Sequence, residues 1–435
     1  MVRTNRWKRL DGSGDAVLSD DQVSALPSST CTEAELIQGF TPHLSKLVQQ
    51  ASVKIGSPLV LVNSERHAWV KDPSPVGAPS KPDMFMCHPA FFEPNKTESD
   101  SKHDGQDFLF GACAHWDLRD CIDVIVEWKC RIGQDDFSAL GEGVEYARRI
   151  SHMVQSRGVP LDEPMVLITR LILADRTTFY LVLCQNGNAT ECLWGEWTQC
   201  GSVAAIVDFI SEGASQTRWV SALSSLCTEF GVEFVNPSQG KPCFLGRGSC
   251  GRVFRVKKPD DNVEFALKVV LDDAYCSKLA EEASKYHAHK KNLDSLECFV
   301  SIIAHHASSN RTFAGLLVGH VGIQCKRTMK DIVAAVQALR KLAQAGFRHG
   351  DARLPNVVMQ GEKAVWLDLR TLDIVKETSV KAKIEAFRMD LNTFVESIDA
   401  SGKVSSDTLG QQVDSFFYSG DPNHSLIHQM SALWQ

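Results

Sequence analysis

Residues 328–368 constrain the fold more tightly than any other part of the chain. A helical period runs from 328 to 344, with Ile332, Val336, Leu339 and Leu342 on one face, and Gly346 follows as a natural stop. The helix delivers the chain into "FRHGDARLPNVVMQ", residues 347–360, where a His, a Gly and an Asp stand together and an Asn follows the Asp by five positions. β-Branched residues come next, and "AVWLDLRTL" then places Asp368 at the end of an apolar strand. His-Gly-Asp and Pro355-Asn356 are ordinary turn formers, so a plain reversal is one reading. The other is a loop in which Asp351 orients an acceptor hydroxyl while Asn356 and Asp368 hold a cation, as phosphoryl transfer requires. Partners elsewhere must decide between them.

Four such partners lie upstream and downstream in a consistent order. "LGRGSCGRVFRV" sets Gly246, Gly248 and Gly251, closed by Val253, in a GxGxxGxV pattern. A lone GxGxxG says little, but here it sits in a strand-turn-strand setting, where small residues let backbone amides approach an anion. Seventeen residues beyond Gly251, Lys268 stands mid-strand in "FALKVV". It is placed to bind α- and β-phosphate oxygens; a solvated strand face is the plainer alternative. Such a Lys needs a carboxylate, and "SKLAEEASKY" on the next helix offers Glu281 or Glu282, with Glu282 favoured. Taken in order, these elements outweigh the bland reading of each. They imply ATP and Mg²⁺ as cofactors, Gly246–Gly251 over the phosphates, Asn356 and Asp368 on the metal, and Arg353 near the γ-phosphate. Asp390 in "FRMDLNTF" is expected to brace the loop from a helix.

The first half of the chain carries a second constellation. A polar stretch, 1–30, reads as a loose arm. A helix from Glu33, capped by Thr32, leads to short strands "PLVLV", "HAWV", "MFMCH" and "CIDVIVEWK", with a Pro/Gly/Ser loop at 72–82 and a polar insert at 93–107 expected to be disordered. A helix at 138–155, strands "PMVLITRLIL" and "TFYLVLC", and a helix at 202–213 complete an α/β domain over 31–235. Asp83 in "SKPDMF" opens a strand, and Glu127 and Lys129 alternate onto one face of another. An Asp and a Glu converging on Mg²⁺, with a Lys to activate water, would serve metal-assisted attack on a phosphodiester. Glu35 on the lead helix is a further candidate ligand. A strand ending in a charged pair is, equally, commonplace.

The Asp83, Glu127, Lys129 set, followed by Glu142 and Tyr146 in "GEGVEY", resembles PD-(D/E)xK nucleases, with Glu142 where those enzymes often carry Gln. Residues 236–435 resemble a compact protein kinase. The pair together, with "HGDARLPNV", resembles the C-terminal regions of Crinkler effectors of oomycetes and related fungal kinase-like proteins, over roughly residues 30–435. That resemblance implies a restriction-endonuclease-like α/β domain followed by an α+β bilobal kinase-like domain. It also implies an intracellular protein, or one secreted and delivered to a host cytoplasm or nucleus, that phosphorylates protein Ser/Thr. The departures bear on substrate rather than fold. Gly350 replaces the Arg that pairs with an activation-loop phosphate in many kinases, "DLR" replaces DFG, no APE follows, and 65 residues remain after Arg370.

Composition narrows the partners. Net charge is −7, so no global basic field advertises nucleic acid, although DNA remains a candidate partner for the first domain. The apolar runs are too short to span a bilayer, and no membrane partner is expected. Fourteen Cys are scattered without CxxC or finger spacing, as in buried reduced thiols of an intracellular protein. The N-terminus is basic but lacks an apolar signal core, and no translocation segment is recognisable. Three function classes therefore stand: an ATP-dependent kinase with a protein substrate, a Mg²⁺-dependent nuclease, and a catalytically silent scaffold.

Overall fold

The computed structural model describes residues 7–26, 32–64, 82–91, 93–94, 108–109, 122–132, 137–155, 168–216, 218–235, 243–247, 251–260, 263–319, 321–326, 328–398 and 406–432. The chain is a mixed α/β protein in two compact units: Met1–Ser225 with Val235–Gly246, and Leu226–Phe234 with Arg247–Gln435.

In the first unit the chain runs β1 (Trp7–Arg9), α1 (Asp20–Ala25), α2 (Glu33–Ile55), β2 (Val60–Asn63), β3 (Met84–Cys87), β4 (Glu93–Pro94), β5 (Phe108–Leu109) and β6 (Ile122–Trp128). It continues through α3 (Phe137–Gln155), β7 (Ile168–Ala174), β8 (Thr178–Gln185), β9 (Asn188–Glu196) and α4 (Ser202–Gln216) into α5 (Arg218–Phe230), which runs across the boundary. Seven strands form one sheet in the order β1-β9-β8-β7-β6-β3-β2. The β1–β9 and β6–β7 pairs are parallel and the rest antiparallel.

Helix α2 begins where Thr32 and Glu35 close a reciprocal capping box, and ends at Gly56 in left-handed conformation. Its buried stripe includes Leu36, Phe40, Leu44 and Leu47. Phe40 meets Trp128 at 4.7 Å between ring centroids and Trp197 at 5.0 Å. Each fully buried large side chain contributes about 1.5–3 kcal/mol, and together they fasten α2 to the sheet. Val124, Val126 and Trp128 of β6 share this core. The alternation of a strand then sends Glu127 to the opposite face.

The expected loose arm is corrected by the structure. β1 pairs with the outer edge of β9, Trp7 opposite Cys192 and Arg9 opposite Trp194, and Leu10 and Leu18 are buried. Strand pairing uses backbone groups, so two buried leucines suffice to anchor a polar stretch. Strand β9 was not anticipated, although Asn186-Gly187, at φ 49° and 75°, is a two-residue hairpin turn linking it to β8. The strand expected at 67–70 lies outside the described residues, as does most of the loop at 72–82 and, apart from β4, the insert at 93–107.

The second unit contains β10 (Glu233–Phe234), β12 (Gly251–Lys257), β13 (Glu264–Leu271), α6 (Asp273–Leu296), β14 (Ile302–Ala307) and β15 (Phe313–Gly319); β11 (Phe244–Arg247) leads the chain into it. These strands order β10-β12-β13-β15-β14, all antiparallel. There follow β16 (Ile323–Gln324), α7 (Met329–Gln344), β17 (Phe347–Arg348), β18 (Val357–Gln360), β19 (Lys363–Trp366), β20 (Asp373–Ile374), α8 (Val380–Glu396), α9 (Ser406–Ser419) and α10 (Ser425–Ala432). Ile332, Val336, Leu339 and Leu342 of α7 enter one core with Trp366 and with Phe387, Leu391 and Phe394 of α8. This core fixes the loop between β17 and β18 from below. Among the described residues no helix is long and apolar enough to cross a membrane.

Candidate functional site

Lys268 stands mid-way along β13, opposite Val253 of β12. Its Nζ lies 2.7 Å from Oε2 of Glu282 and 3.9 Å from Oδ1 of Asp368. Glu282 is buried on α6, and its other oxygen accepts the peptide N–H of Leu369 at 3.3 Å. Glu281 instead pairs with Lys285, whose Nζ also donates to the carbonyl of Arg370 at 2.5 Å. One helix thus holds both Lys268 and the segment that carries Asp368. Asp368 sits in left-handed backbone, φ 60°, a conformation that costs a non-glycine residue about 1–3 kcal/mol and is maintained by its surroundings. Gly251 has a packing reason: a Cβ there would stand 2.5 Å from the carbonyl of Val269. The Cβ position of Gly246 faces open space, and Gly248 lies outside the described residues.

The loop after β17 is held from three directions. Asp390 of α8 accepts the backbone N–H of His349 at 2.7 Å and that of Gly350 at 2.9 Å. Burial pushes its carboxyl up to about 6, against the pull of those two bonds. His349 is fully buried, stacked on Phe299 and edge-on to Trp366. Its Nε2 lies 2.9 Å from the carbonyl of Leu367, and its Nδ1 accepts from the N–H of Asp351. That assigns a neutral ring with the proton on Nε2, in keeping with burial lowering it to about 4. Thr371 Oγ1 donates to the carbonyl of His349 at 2.9 Å. At Gly350, φ is 79° and a Cβ would meet the carbonyl of Thr371 at 2.5 Å.

Asp351 is the most heavily ligated side chain of this loop. Arg353 grips its carboxylate in two-pronged fashion, Nε at 2.5 Å and Nη2 at 2.7 Å. Asn356 Nδ2 donates to its Oδ2 at 3.0 Å and to its carbonyl at 2.9 Å. With Nδ2 so engaged, the Asn356 amide oxygen is the atom left for a cation. Asp368 adds a second oxygen donor, part-exposed, and hard oxygen donors in this number suit Mg²⁺, which takes its remaining ligands from phosphate and water.

In the first unit, Asp83, just before β3, meets Glu127, near the end of the neighbouring β6. Asp83 Oδ2 accepts the N–H of Trp128 at 2.7 Å, and the Asp83 N–H donates to Glu127 Oε2 at 3.3 Å. Burial raises the carboxyl of Glu127 well above its ordinary value, and the charge of Asp83 raises it further. A cation relieves that condition, so the pair fits Mg²⁺. Lys129 Nζ lies 2.9 Å from Glu127, 3.0 Å from Glu142 and 3.8 Å from Glu33. Burial alone would lower its pKa, but Glu127 and Glu142 outweigh it and hold the ammonium charged. Lys129 thus stands as a positive charge beside Glu127 and Glu142. Tyr146 donates to Glu142 at 3.2 Å. Glu35 closes the Thr32 capping box, and Glu33 is the helix residue that approaches Lys129.

Sequence reasoning missed Lys285, although it lies three positions from Glu282 and so on the same helix face. It also missed Glu33 and Thr371, neither of which stands in any recognisable pattern. Among the described residues, no three His, Cys, Asp or Glu side chains gather as a metal cage. No family model matches the chain, and comparison with curated proteins found no match.

Proposed function

We propose that the second unit is a protein kinase-like phosphotransferase that moves the γ-phosphoryl group of ATP to a Ser or Thr hydroxyl. The observation that carries this reading is the double role of Glu282, which holds Lys268 with one oxygen and the Leu369 peptide beside Asp368 with the other. Residues separated by about a hundred positions are thereby brought to one place. In this reading Lys268 binds the α- and β-phosphate oxygens, and Asp351 orients the acceptor hydroxyl. The bond between the γ-phosphorus and the bridging oxygen breaks as the acceptor oxygen bonds to phosphorus; ADP leaves, and the hydroxyl proton passes to Asp351. Arg353, already at that carboxylate, adds positive charge where the transferred group is most anionic. Mg²⁺ held by Asn356 and Asp368 would neutralise phosphate charge.

The test is nucleotide binding and transfer of label from γ-labelled ATP, with Mg²⁺, to a mixed protein acceptor. Lys268→Ala and Asp368→Ala should each weaken binding and abolish labelling. Unchanged binding and labelling in both would sink the assignment.

A second reading is favoured by the convergence of Asp83, Glu127 and Lys129: the first unit as a PD-(D/E)xK nuclease-like site acting on DNA. Asp83 and Glu127 would hold Mg²⁺, which would activate water, and the fixed charge of Lys129 would stabilise the attacked phosphate. Mg²⁺-dependent cleavage lost in Glu127→Ala, with labelling from ATP intact, is the expected result; cleavage that survives would refute it.

A further inference from the structure

Glu127 belongs to a row of side chains that crosses the first unit's sheet. Strand register sets Glu127 opposite Leu173, Leu173 opposite Tyr180, Tyr180 opposite Trp194 and Trp194 opposite Arg9. Directly opposed residues share a face, so the row runs along one face from β6 to β1. Strands lie about 4.8 Å apart, which puts the Tyr180 backbone about 10 Å from that of Glu127 and the Trp194 backbone about 14 Å away. Helix α3 packs on this face at a different level, Gly143 against Leu171 and Arg148 against Gly187. Leu173 is buried, whereas Tyr180 and Trp194 stay partly exposed and Arg9 lies open.

The exposed end of the row is a stack. The Tyr180 and Trp194 rings lie 24° from parallel with centroids 6.4 Å apart. From β1, the Arg9 guanidinium carbon sits 5.2 Å from the centre of the Trp194 ring. Each member restricts its neighbour's rotamers, so little side-chain freedom is left to lose on binding. Charge does not mark this end for an anion, because Glu196 lies 3.5 Å from Arg9 and balances it. That pair is exposed, 61% and 48%, and so contributes little and opens readily. What the stack offers is aromatic surface, and a flat ring can lie on it without any charge of its own. A nucleobase is such a ring, and its face is accessible only where the strand is unpaired. The stack is also in line with the Asp83–Glu127 pair, where a phosphodiester would be attacked.

We infer that Tyr180, Trp194 and Arg9 bind unpaired bases of the strand presented to Asp83 and Glu127, which makes single-stranded nucleic acid the substrate class of the first unit. The inference rests on the nuclease reading for what the binding serves, but the binding can be measured without metal. In EDTA, the full chain is titrated into a fluorescein-labelled oligothymidylate of twelve nucleotides, an abasic strand of equal length and charge, and a blunt duplex; anisotropy reports binding. The oligothymidylate should bind at least about tenfold more tightly than either of the others. Tyr180→Ala and Trp194→Ala should each weaken it by about tenfold, and Tyr180→Phe, which keeps the ring, should bind as the parent does. If either Ala variant fails to fold, the abasic strand and Tyr180→Phe still decide.

Equal affinity for the oligothymidylate and the abasic strand would reveal phosphate contact alone and overturn the proposal. Preference for the duplex, or a folded Tyr180→Ala that binds as the parent does, would overturn it too. So would a proline-rich peptide that binds through Tyr180 where the oligothymidylate does not, since the stack would then serve a protein partner. With Mg²⁺ added, base-dependent binding without Glu127-dependent cleavage would support the stack and overturn the nuclease reading. Cleavage that needs Glu127 but ignores Tyr180→Ala would do the reverse.

Discussion

Glu282 holds the ammonium of Lys268 at 2.7 Å and, through its second oxygen, stays bonded to the chain just beyond Asp368. The two contacts separate chemically. Glu282→Gln keeps an acceptor for the Leu369 N–H but loses the charge opposite Lys268, and kcat/KM for ATP should fall by about 10- to 100-fold. Glu282→Ala loses both and should fall about tenfold further. Steady-state kinetics read the difference, and identical values would show the Leu369 contact to be idle.

Gly350 is constrained by space as well as by φ. Gly350→Ala puts a methyl group 2.5 Å from the Thr371 carbonyl and should cost about 1–3 kcal/mol, read by urea denaturation. The same closeness leaves the 369–379 segment fastened by Thr371 and by the β17–β20 pair without help from a phosphate. Treatment with a phosphatase should leave labelling unchanged, and its loss would point to a phosphate-dependent step.

His349 and Asp390 titrate in opposite senses. His349, lowered from 6.5 to about 4, contributes stability that is present above pH 6.5 and lost as pH falls towards 4. Asp390, raised from 3.8 to about 6, contributes stability that is present below pH 3.8 and lost as pH rises through 6. Each amounts to on the order of 3 kcal/mol, so the two nearly cancel between pH 4 and 6. Relative to the parent chain, Asp390→Asn should lose stability on acidification across that window and His349→Gln should gain it. Denaturant midpoints at pH 4.5 and 6 decide the point; slopes of the same sign would refute it.

Mg²⁺ should raise the melting temperature if Asp83 and Glu127 bind it, because a ligand of the folded state stabilises that state. The rise should survive Asp368→Ala, which removes a ligand of the second unit's metal site, and should disappear when Asp83→Ala and Glu127→Ala are added to that variant. A rise that persists there would place the ion elsewhere.

The sequence disclosed those parts of the fold that depend on local pattern. Helix α7, Gly346 and the loop beyond follow from periodicity and stop chemistry, and α2 follows from Thr32 and its apolar stripe. What it concealed depends on contact. The choice between Glu281 and Glu282 turns on which face of α6 meets β13, and no spacing rule decides between adjacent residues. Glu35 looked like a ligand because it is an acid near a helix start, yet that same place suits a capping box. β1 could not be read at all, since three residues of Trp, Lys and Arg carry no period and pair only because β9 offers an edge. Strand β9 is legible in Asn186-Gly187, a two-residue hairpin signal between two β-prone runs.

The pairing of Trp7–Arg9 with Cys192–Trp194 covers a row of backbone donors and acceptors that would otherwise line the open side of the seven-stranded sheet. An uncovered strand of nine residues is a template for a neighbouring molecule's chain. Residues 7–9 thus cover the middle of that strand, and their removal should raise the tendency of the protein to self-associate.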